Sequence, residues 1–233
     1  MGNPKSYTLY FGGELFSGKH LLGNAALAET IFHRSGGKYV PVLPQNLEQR
    51  EITAHSIRDQ DILALLNCDL GLFNYDGPEL DSGTVVEFMI AKFADIPSVI
   101  VRTDIRSAGD QEGGGDPWNL MTSFFPRTRV VLQNSMTVYQ RVMENRHEPD
   151  PAKGLEARRF MAACQGMVEH VADDIIRAYD EVTADEPVMT AAMGEMIFRW
   201  LSVMPGFRES ISEGMEAKML ALLAAKRAKG LLK

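Results

Sequence analysis

The chain has 233 residues; 45% of them are hydrophobic, 24% are charged, and the formal net charge is −7. These values are typical of a globular protein, and the length allows one α/β domain with a helical addition. Lys and Arg are not concentrated in any stretch that could follow a phosphate backbone, so no nucleic-acid partner is expected.

The composition also argues against a metal centre and against a membrane protein. Cys68 and Cys164 are the two cysteines, too few for a disulfide framework or a cysteine metal site, and the histidines never show a ligand spacing such as His-Glu-x-x-His. No apolar run approaches the roughly 18 residues of a membrane helix, and the N-terminus has no apolar signal core. We therefore expect a cytoplasmic enzyme without a metal, an organic cofactor or a membrane partner.

From residue 7 to about residue 132, short apolar segments alternate with segments of helical period. The predicted strands are 7–11, 39–43, 70–73, 97–101 and 129–132, and the predicted helices between them are about 20–33, 57–66 and 84–93. This alternation predicts a Rossmann-like α/β fold, with five parallel strands and helices on both faces of the sheet. In such a sheet, ligands bind beyond the carboxyl ends of the strands, where the strand order reverses.

After about residue 145 the pattern becomes purely helical. Apolar stripes with helical spacing run through residues 160–182, 189–201 and 211–223. We therefore divide the chain into an α/β domain, residues 1–145, and a helical C-terminal subdomain, residues 146–233. Methionines are frequent in these stripes, which is more typical of a core or a subunit interface than of a cofactor site. The helices are expected to pack on the α/β domain or on another subunit.

Residues 81–87, Asp-Ser-Gly-Thr-Val-Val-Glu, follow the third predicted strand and open a predicted helix. Asp81 and Glu87 therefore lie near the carboxyl end of a strand, and small residues such as Gly83 let the backbone turn and a ligand come close. Two interpretations of Glu87 are open. Either it forms a capping box with Thr84 as the N-cap, which only stabilises the helix, or its carboxylate attacks a sugar carbon from a small pocket.

Several short matches, all in the same order, carry a resemblance to a known family. They are Tyr10-Phe11-Gly12 with Phe16, Pro41 with Gln45, Asp61 eight positions before Asp69, Asp81 six positions before Glu87, and Asn119-Leu120-Met121. Over roughly residues 7–135, the chain resembles the nucleoside 2-deoxyribosyltransferase family. The resemblance implies a flavodoxin-like fold and the exchange of the base on a 2′-deoxyribonucleoside, with a free nucleobase as the second substrate.

The resemblance also implies the catalytic residues. Glu87 would attack the anomeric carbon to give a covalent deoxyribosyl-enzyme, and a second base would then restore the β configuration. Asp61 matches a position for base contact and proton transfer, and Asp81 matches a neighbouring carboxylate at the base. By pattern alone, Asp59 and Asp61 would both be solvated helix acids. Carboxyl groups that share one pocket repel, so the pKa of at least one of them should be raised towards neutral.

The substrate-binding residues predicted in this way are Tyr10, Gly12, Phe16, Gln45, Gly83, Asn119 and Met121. Gln45 and Phe16 match base-contacting positions, and Tyr10 matches a residue whose hydroxyl positions the nucleophile. Asn119 matches a residue that a neighbouring subunit contributes and that binds the sugar 5′-hydroxyl. The resemblance therefore predicts a homo-oligomer in which Asn119 completes a neighbouring site.

The length of the chain departs from the family pattern. Typical members end soon after the fifth strand and its helix, and their chain terminus helps to close a neighbour's site. Here about ninety residues follow that point. A contact from a terminal carboxylate is therefore not expected, and the oligomer can differ from the dimers and hexamers of the family.

Two other functions are open from the sequence. Hydrolases of the same superfamily cleave nucleoside 5′-monophosphates and hold the phosphate near the first turn, where Ser17 and Lys19 would favour a phosphate but Glu14 would repel it. The second is a non-catalytic nucleoside- or nucleotide-sensing module with the C-terminal helices as its output element. A sensor has no need of a nucleophile, so the presence of Glu87 argues against it.

Overall fold

The computed structural model describes residues 5–47, 53–106, 109–144, 156–204 and 214–233. The strands are β1 (Tyr7–Gly12), β2 (Tyr39–Val42), β3 (Leu70–Asn74), β4 (Ser98–Arg102) and β5 (Thr128–Leu132). The helices are α1 (Gly18–Arg34), α2 (Ala54–Asn67), α3 (Ser82–Phe93), α4 (Ser135–Glu144), α5 (Glu156–Val182), α6 (Ala191–Ser202) and α7 (Met215–Ala228). Single 3-10 turns lie at Pro44–Asn46 and Leu120–Thr122.

The five strands form one parallel sheet in the order β2-β1-β3-β4-β5. This is the flavodoxin-like order, and it confirms the predicted fold. From β1 the chain continues to β2 at one edge of the sheet, whereas from β3 it continues to β4, towards the opposite edge. The strand order therefore reverses between β1 and β3. A crevice at the carboxyl ends of these two strands is where such folds bind ligands.

Both faces of the sheet are covered, because successive residues of a strand point to opposite faces and apolar residues of the central strands are buried on both. Tyr10, Phe73 and Ile100 face a cluster that we call the front cluster, built with α2, α3, α6 and α7. Leu9 and Val99 face the back cluster, built with α1 and α5. The strands are therefore central in a three-layer molecule.

The C-terminal helices pack on the α/β unit, one of the two arrangements expected from the sequence. Val171, Ile175 and Tyr179 of α5 belong to the back cluster, and Tyr179 donates a hydrogen bond to the carbonyl oxygen of Gly71 in β3, at 2.8 Å. Residues of α6 and α7 belong to the front cluster. The predicted boundary at 145/146 lies outside the described residues, and the division into two domains stays a prediction.

The last helices are held at the amino ends of the strands. The carboxylate of Asp95, just before β4, accepts hydrogen bonds from the backbone N–H groups of Val188 and Met189, at 2.8 and 3.0 Å. The ammonium of Lys229 lies 2.6 Å from the carboxylate of Asp69, which precedes β3. These attachments leave the carboxyl ends of β1 and β3 free for a ligand. Among the described helices, none combines the length and the apolar character that a bilayer crossing requires.

Candidate active site

Glu87 lies one and a half turns inside α3, and its carboxylate does not cap that helix. The helix begins at Ser82 with Asp81 as the N-cap, and the Asp81 carboxylate accepts from the backbone N–H of Thr84 at 2.8 Å. The capping box with Thr84 as the N-cap is therefore wrong. Glu87 Oε1 instead accepts a hydrogen bond from the hydroxyl of Tyr10 in β1, at 2.7 Å.

The surroundings of Glu87 favour its neutral form. Burial raises the pKa of Glu87 to about 7; the hydrogen bond from Tyr10 opposes this shift, and the charges of Asp61 and Asp81 add to it. Burial, with the adjacent Glu87 charge, also raises the pKa of the Tyr10 hydroxyl, so Tyr10 stays a donor at neutral pH. The predicted group of three carboxyls that influence one another is therefore present around Glu87, and the raised pKa is found on the predicted nucleophile.

Gly12 ends β1 next to Glu87. A Cβ atom at this position would lie 2.5 Å from Glu87 Oε2 and 3.1 Å from the ring of Phe73. Carbon and oxygen atoms that are not bonded to each other do not approach so closely, so only glycine fits while the carboxylate keeps its place. The Glu87 side chain is thus placed between the Tyr10 hydroxyl and the backbone of Gly12.

Replacement of Gly12 by Ala is expected to displace the Glu87 carboxylate and to lower base exchange by about 10²-fold, the cost of misplacing a reacting group by about 1 Å. The rate of exchange with saturating substrates is the measurement. Gly13→Ala is the matched control, because its Cβ would meet only the Asn74 side chain, at 3.1 Å, and the Phe11 ring. If the two variants lose the same activity, the fit of Gly12 against Glu87 is not what the reaction needs.

Asp61 and Asp81 differ in their surroundings. Asp61, on α2, is half-buried, and burial raises its pKa. Asp81 is engaged as the N-cap, and its Oδ2 also accepts from the hydroxyl of Thr84 at 2.9 Å. The backbone of Gly83 lies close to the same carboxylate, because a Cβ atom at Gly83 would be 3.1 Å from Asp81 Oδ2. Asp61 is therefore the less constrained of these two acids.

The other predicted residues are not joined to Glu87 by any contact among the described residues. Phe16 and Met121 are exposed over 73% and 70% of their surface. The Gln45 side chain donates to the carbonyl oxygen of Leu21 at 3.2 Å, and the Asn119 side chain accepts from the backbone N–H of Met121 at 2.9 Å, capping the 3-10 turn. The Asn119 amide group retains donors for a ligand, and the exposed side chains are free for a base or a second subunit.

A cavity of about 400 Å³ lies beside the start of α3, and we call it the Asn119 cavity. Its lining comprises Pro78, Glu79, Leu80, Val85, Arg102, Gly109, Trp118, Asn119, Met121 and Thr122. The sequence analysis missed Arg102 and Trp118, both almost fully buried. Arg102 donates to the carbonyl oxygens of Gly77 and Arg106, at 3.0 and 2.8 Å, and so shapes the wall of the cavity. The sequence does contain a signal for Arg102, which is a charged residue at the carboxyl end of an otherwise apolar strand.

Among the described residues, no group of three or more His, Cys, Asp or Glu side chains is arranged to hold a metal ion. The arrangement around Glu87 is instead that of a carboxylate site: one carboxylate fixed by a buried hydroxyl, and two further acids within electrostatic range.

Comparison with known proteins agrees with this geometry. Residues 9–121 match the family model described as nucleoside 2-deoxyribosyltransferase. The α/β segment 9–121 is therefore similar to this family. The matched segment contains all the predicted site residues, from Tyr10 to Met121. No curated protein matches the sequence.

Several solved structures are similar to this chain. A conserved protein from Enterococcus faecalis is 28% identical, with 57% of this chain and 94% of that chain covered and a TM-score of 0.46. A 2-desoxiribosyltransferase from Leishmania mexicana is 22% identical, with coverages of 62% and 100% and a TM-score of 0.43. A 2-deoxyribosyltransferase from Bacillus psychrosaccharolyticus is 14% identical, with coverages of 42% and 74% and a TM-score of 0.36.

Proposed function

We propose that this protein exchanges the base of 2′-deoxyribonucleosides through a covalent deoxyribosyl intermediate on Glu87. The observation that carries the proposal is the 2.7 Å hydrogen bond from the Tyr10 hydroxyl to Glu87 Oε1. This hydrogen bond holds the Glu87 carboxylate at the carboxyl end of β1, in the crevice where this fold binds ligands. The carboxylate has no part in capping its own helix. The family of segment 9–121 supports the same reaction class.

In the first half of the reaction, the free oxygen of Glu87, Oε2, forms a bond to C1′ while the bond from C1′ to the base nitrogen breaks. The electron pair of that bond leaves with the base, which takes up a proton. In the second half, a nitrogen of the incoming base attacks C1′. The ester bond between C1′ and Glu87 breaks, and its electron pair returns to the Glu87 carboxylate. Two inversions at C1′ restore the β configuration.

Charge stabilisation follows from the same groups. Positive charge develops on the sugar as the base departs, and the ionised Glu87 carboxylate lies next to it. Tyr10 is fully buried, so its hydroxyl stays directed at Oε1 throughout and leaves Oε2 for the attack. Partial burial of Glu87 lowers the effective dielectric constant around it and strengthens these interactions.

Asp61 is proposed to deliver the proton to the departing base, since burial raises its pKa and so favours a protonated acid. Asp61→Asn should slow exchange by about 10²–10⁴-fold for bases that leave poorly. Bases that leave easily should be affected least, because they need little protonation. Exchange rates with a series of donor nucleosides measure the difference, and equal losses for all of them would contradict the role of Asp61 as the proton donor.

The proposed function is tested by incubating the protein with deoxyinosine and free adenine and measuring deoxyadenosine. We expect deoxyadenosine and hypoxanthine in equal amounts, with slow hydrolysis as a side reaction when water intercepts the intermediate. Hypoxanthine without new nucleoside would indicate a nucleosidase. No turnover of any deoxynucleoside would point to a phosphorylated substrate or to a sensor.

The alternative of a nucleotide hydrolase gains no support from the first turn. Ser17 is the N-cap of α1, and its side chain accepts from the backbone N–H of His20 at 3.3 Å. The carboxylate of Glu14 lies in this turn, 3.1 Å from His20, where it would repel a phosphate. Completion of a neighbouring subunit's site by Asn119 remains part of the proposal, and it requires a homo-oligomer.

A further inference from the structure

A second cavity, of about 280 Å³, lies on the other face of the sheet; we call it the back cavity. It is bounded by α1, α4 and α5 and by the carboxyl ends of β1, β3, β4 and β5. Its volume is close to the lower end of the range of ligand sites, about 300 Å³. At about 30 Å³ for one water molecule, it has the volume of about nine waters, which is enough for a single substituted ring.

The back cavity is separate from the Glu87 site. Tyr10 and Gly12 of β1 face Glu87, whereas Leu9 belongs to the back cluster because alternate strand residues point to opposite faces. Beyond the strand, Glu14 and Asn74 line the back cavity. The backbones of Gly12 and Gly13 therefore form part of the partition between the two sites.

The inner walls of the back cavity are apolar. They are formed by Leu27 of α1, Val101 of β4, Val138 of α4, and Met167, Val168 and Val171 of α5. Aliphatic and thioether side chains at this density suit a flat or compact apolar body, and methionine adapts to its outline. The walls alone would accept many apolar molecules, so the polar end determines the selectivity.

The polar end is rich in hydrogen-bond acceptors. Glu14 contributes a carboxylate, and Gln133 Oε1 is buried without a hydrogen-bond partner among the described residues. The carboxylate of Asp76 also lines this end, where it already accepts hydrogen bonds from Thr103 and Asp104. The Nε2 atom of His20 lies 3.1 Å from the Glu14 carboxylate, and its buried Nδ1 also lacks a described partner. With the proton assigned to Nε2, Nδ1 is a further acceptor.

Anions do not fit this end of the back cavity. Lys19 is the one Lys or Arg side chain in its lining and is exposed, whereas two carboxylates face the same space. A buried acceptor without a donor is unfavourable, so a molecule that supplies a donor nitrogen removes an existing penalty. A phosphate or a carboxylate would add repulsion instead.

We propose that the back cavity is a second small-molecule site, which takes a compact aromatic ring bearing an amino or amidino substituent. The ring lies among Leu27, Val168 and Val171, and the nitrogen donates to Glu14 and Gln133. This site is distinct from the site of base exchange and does not depend on the activity proposed for Glu87.

Benzamidine is the test compound, with benzonitrile as a partner of the same shape that has no donor. In titrations followed by amide resonances, benzamidine is expected to saturate with a dissociation constant of about 1 mM or below. The resonances of Gly23 and Asn24, which line the back cavity, should shift, and that of Gly83 should not. Shifts at Gly83 alone, or no saturation, would overturn the proposal.

Gly23→Phe is expected to narrow the back cavity, because Gly23 lines the cavity and a Cβ at this position meets no atom within 4 Å. Gly18→Phe is the matched control: it lies in the same helix, has equal space, and is outside the lining. Gly23→Phe should weaken benzamidine binding by about tenfold or more, because the ligand loses its packing contacts with part of the cavity wall. Equal affinities for the two variants would show that the compound binds elsewhere.

Glu14→Gln tests the chemistry of the polar end. The amide oxygen of Gln can still accept a hydrogen bond, but the charge that strengthens this bond to the amidinium is lost. We therefore expect benzamidine affinity to fall by about tenfold or more, while benzonitrile binding should stay unchanged. Parallel losses for both compounds would indicate a collapsed cavity and would overturn the assigned role of Glu14. Melting temperatures of both variants distinguish a local change from unfolding.

Discussion

Glu87→Gln is expected to reduce base exchange by about 10³-fold or more, because the amide cannot form the glycosyl ester that links the two half-reactions. The amide is nearly the same size as the carboxylate and can still accept the Tyr10 hydrogen bond, so the local geometry should be retained. Deoxyadenosine formation from deoxyinosine and adenine measures the loss. Mass spectrometry of protein quenched during turnover should show one added deoxyribosyl group in the wild type and none in the variant.

The matched control for this experiment is Glu29→Gln, which removes an exposed carboxylate of α1 that lies 3.5 Å from His33. It should leave exchange unchanged within about twofold, as expected for a surface charge. If Glu87→Gln retained exchange at the wild-type rate, another group would have to carry the sugar, and the mechanism proposed above would fail.

The same substitution has an expected effect on stability with a definite sign. The pKa of Glu87 is raised from 4.5 to about 7 in the folded protein. Between these values the folded protein holds a proton that the unfolded chain has released, so the free energy of unfolding decreases as the pH rises. Above pH 7 the full penalty of burying the charge applies.

Glu87→Gln carries no such penalty. Relative to the wild type, the variant should therefore gain stability as the pH rises from about 4.5 to 7. Denaturant unfolding of both proteins at several pH values measures this difference. A constant difference across the range would show that the folded-state pKa of Glu87 is not raised.

The sheet and its helices could be predicted because their signals are local. Each strand is a short apolar run, and the structure places the third one at Leu70–Asn74 against a predicted 70–73. The number and parallel direction of the strands then follow from the alternation with helices, whereas the flavodoxin-like order was implied only by the resemblance to a family. The start of α3 could not be predicted in the same way, because Asp81 and Thr84 are both good N-cap residues. Only in the folded chain is Asp81 selected as the N-cap.

The acids of α2 show where pattern reasoning fails. Asp59 and Asp61 look alike in the sequence, but Asp59 is 4% exposed, and its carboxylate lies 2.7 Å from Arg58. The expectation that Asp59 is solvated is wrong, because its side chain is almost fully buried. Asp61 is only half-buried, and its charge acts on Glu87.

The contacts that define the site join distant parts of the chain. Tyr10 and Glu87 are 77 positions apart, and no periodicity relates them, so their pairing was predicted only through the resemblance to a family. The back cavity brings together Glu14, Gln133 and Met167 from three different regions. Neither the cavity nor its acceptor-rich end has a signature in the linear sequence.

Tyr10→Phe is expected to change how exchange depends on pH. The nucleophile must be ionised, so kcat/KM for the wild type should fall below an apparent pKa near 7, by tenfold for each further unit of pH. The hydrogen bond from Tyr10 lowers the pKa of Glu87 against the effect of burial. Without it, this limb of the profile should move to higher pH by about 1–2 units, the equivalent of about 1.5–3 kcal/mol.

The loss caused by Tyr10→Phe should therefore be largest at low pH. At pH 6 we expect kcat/KM to fall by about 10–100-fold, and above pH 9 the two enzymes should approach each other, because Glu87 is then ionised in both. Tyr75→Phe is the matched control. Its ring packs against Phe88 of α3 in the same front cluster, with centroids 6.0 Å apart, and it makes no hydrogen bond to Glu87.

The shape of the two pH profiles separates electrostatic from geometric roles. If Tyr10 only fixes the position of the carboxylate, Tyr10→Phe lowers kcat/KM by the same factor at every pH and the limb stays near 7. If its hydroxyl sets the ionisation of Glu87, the limb moves and the high-pH rate is largely retained. The buried hydroxyl makes a 2.7 Å bond to a carboxylate that burial would otherwise keep protonated. On that ground we expect the displaced limb.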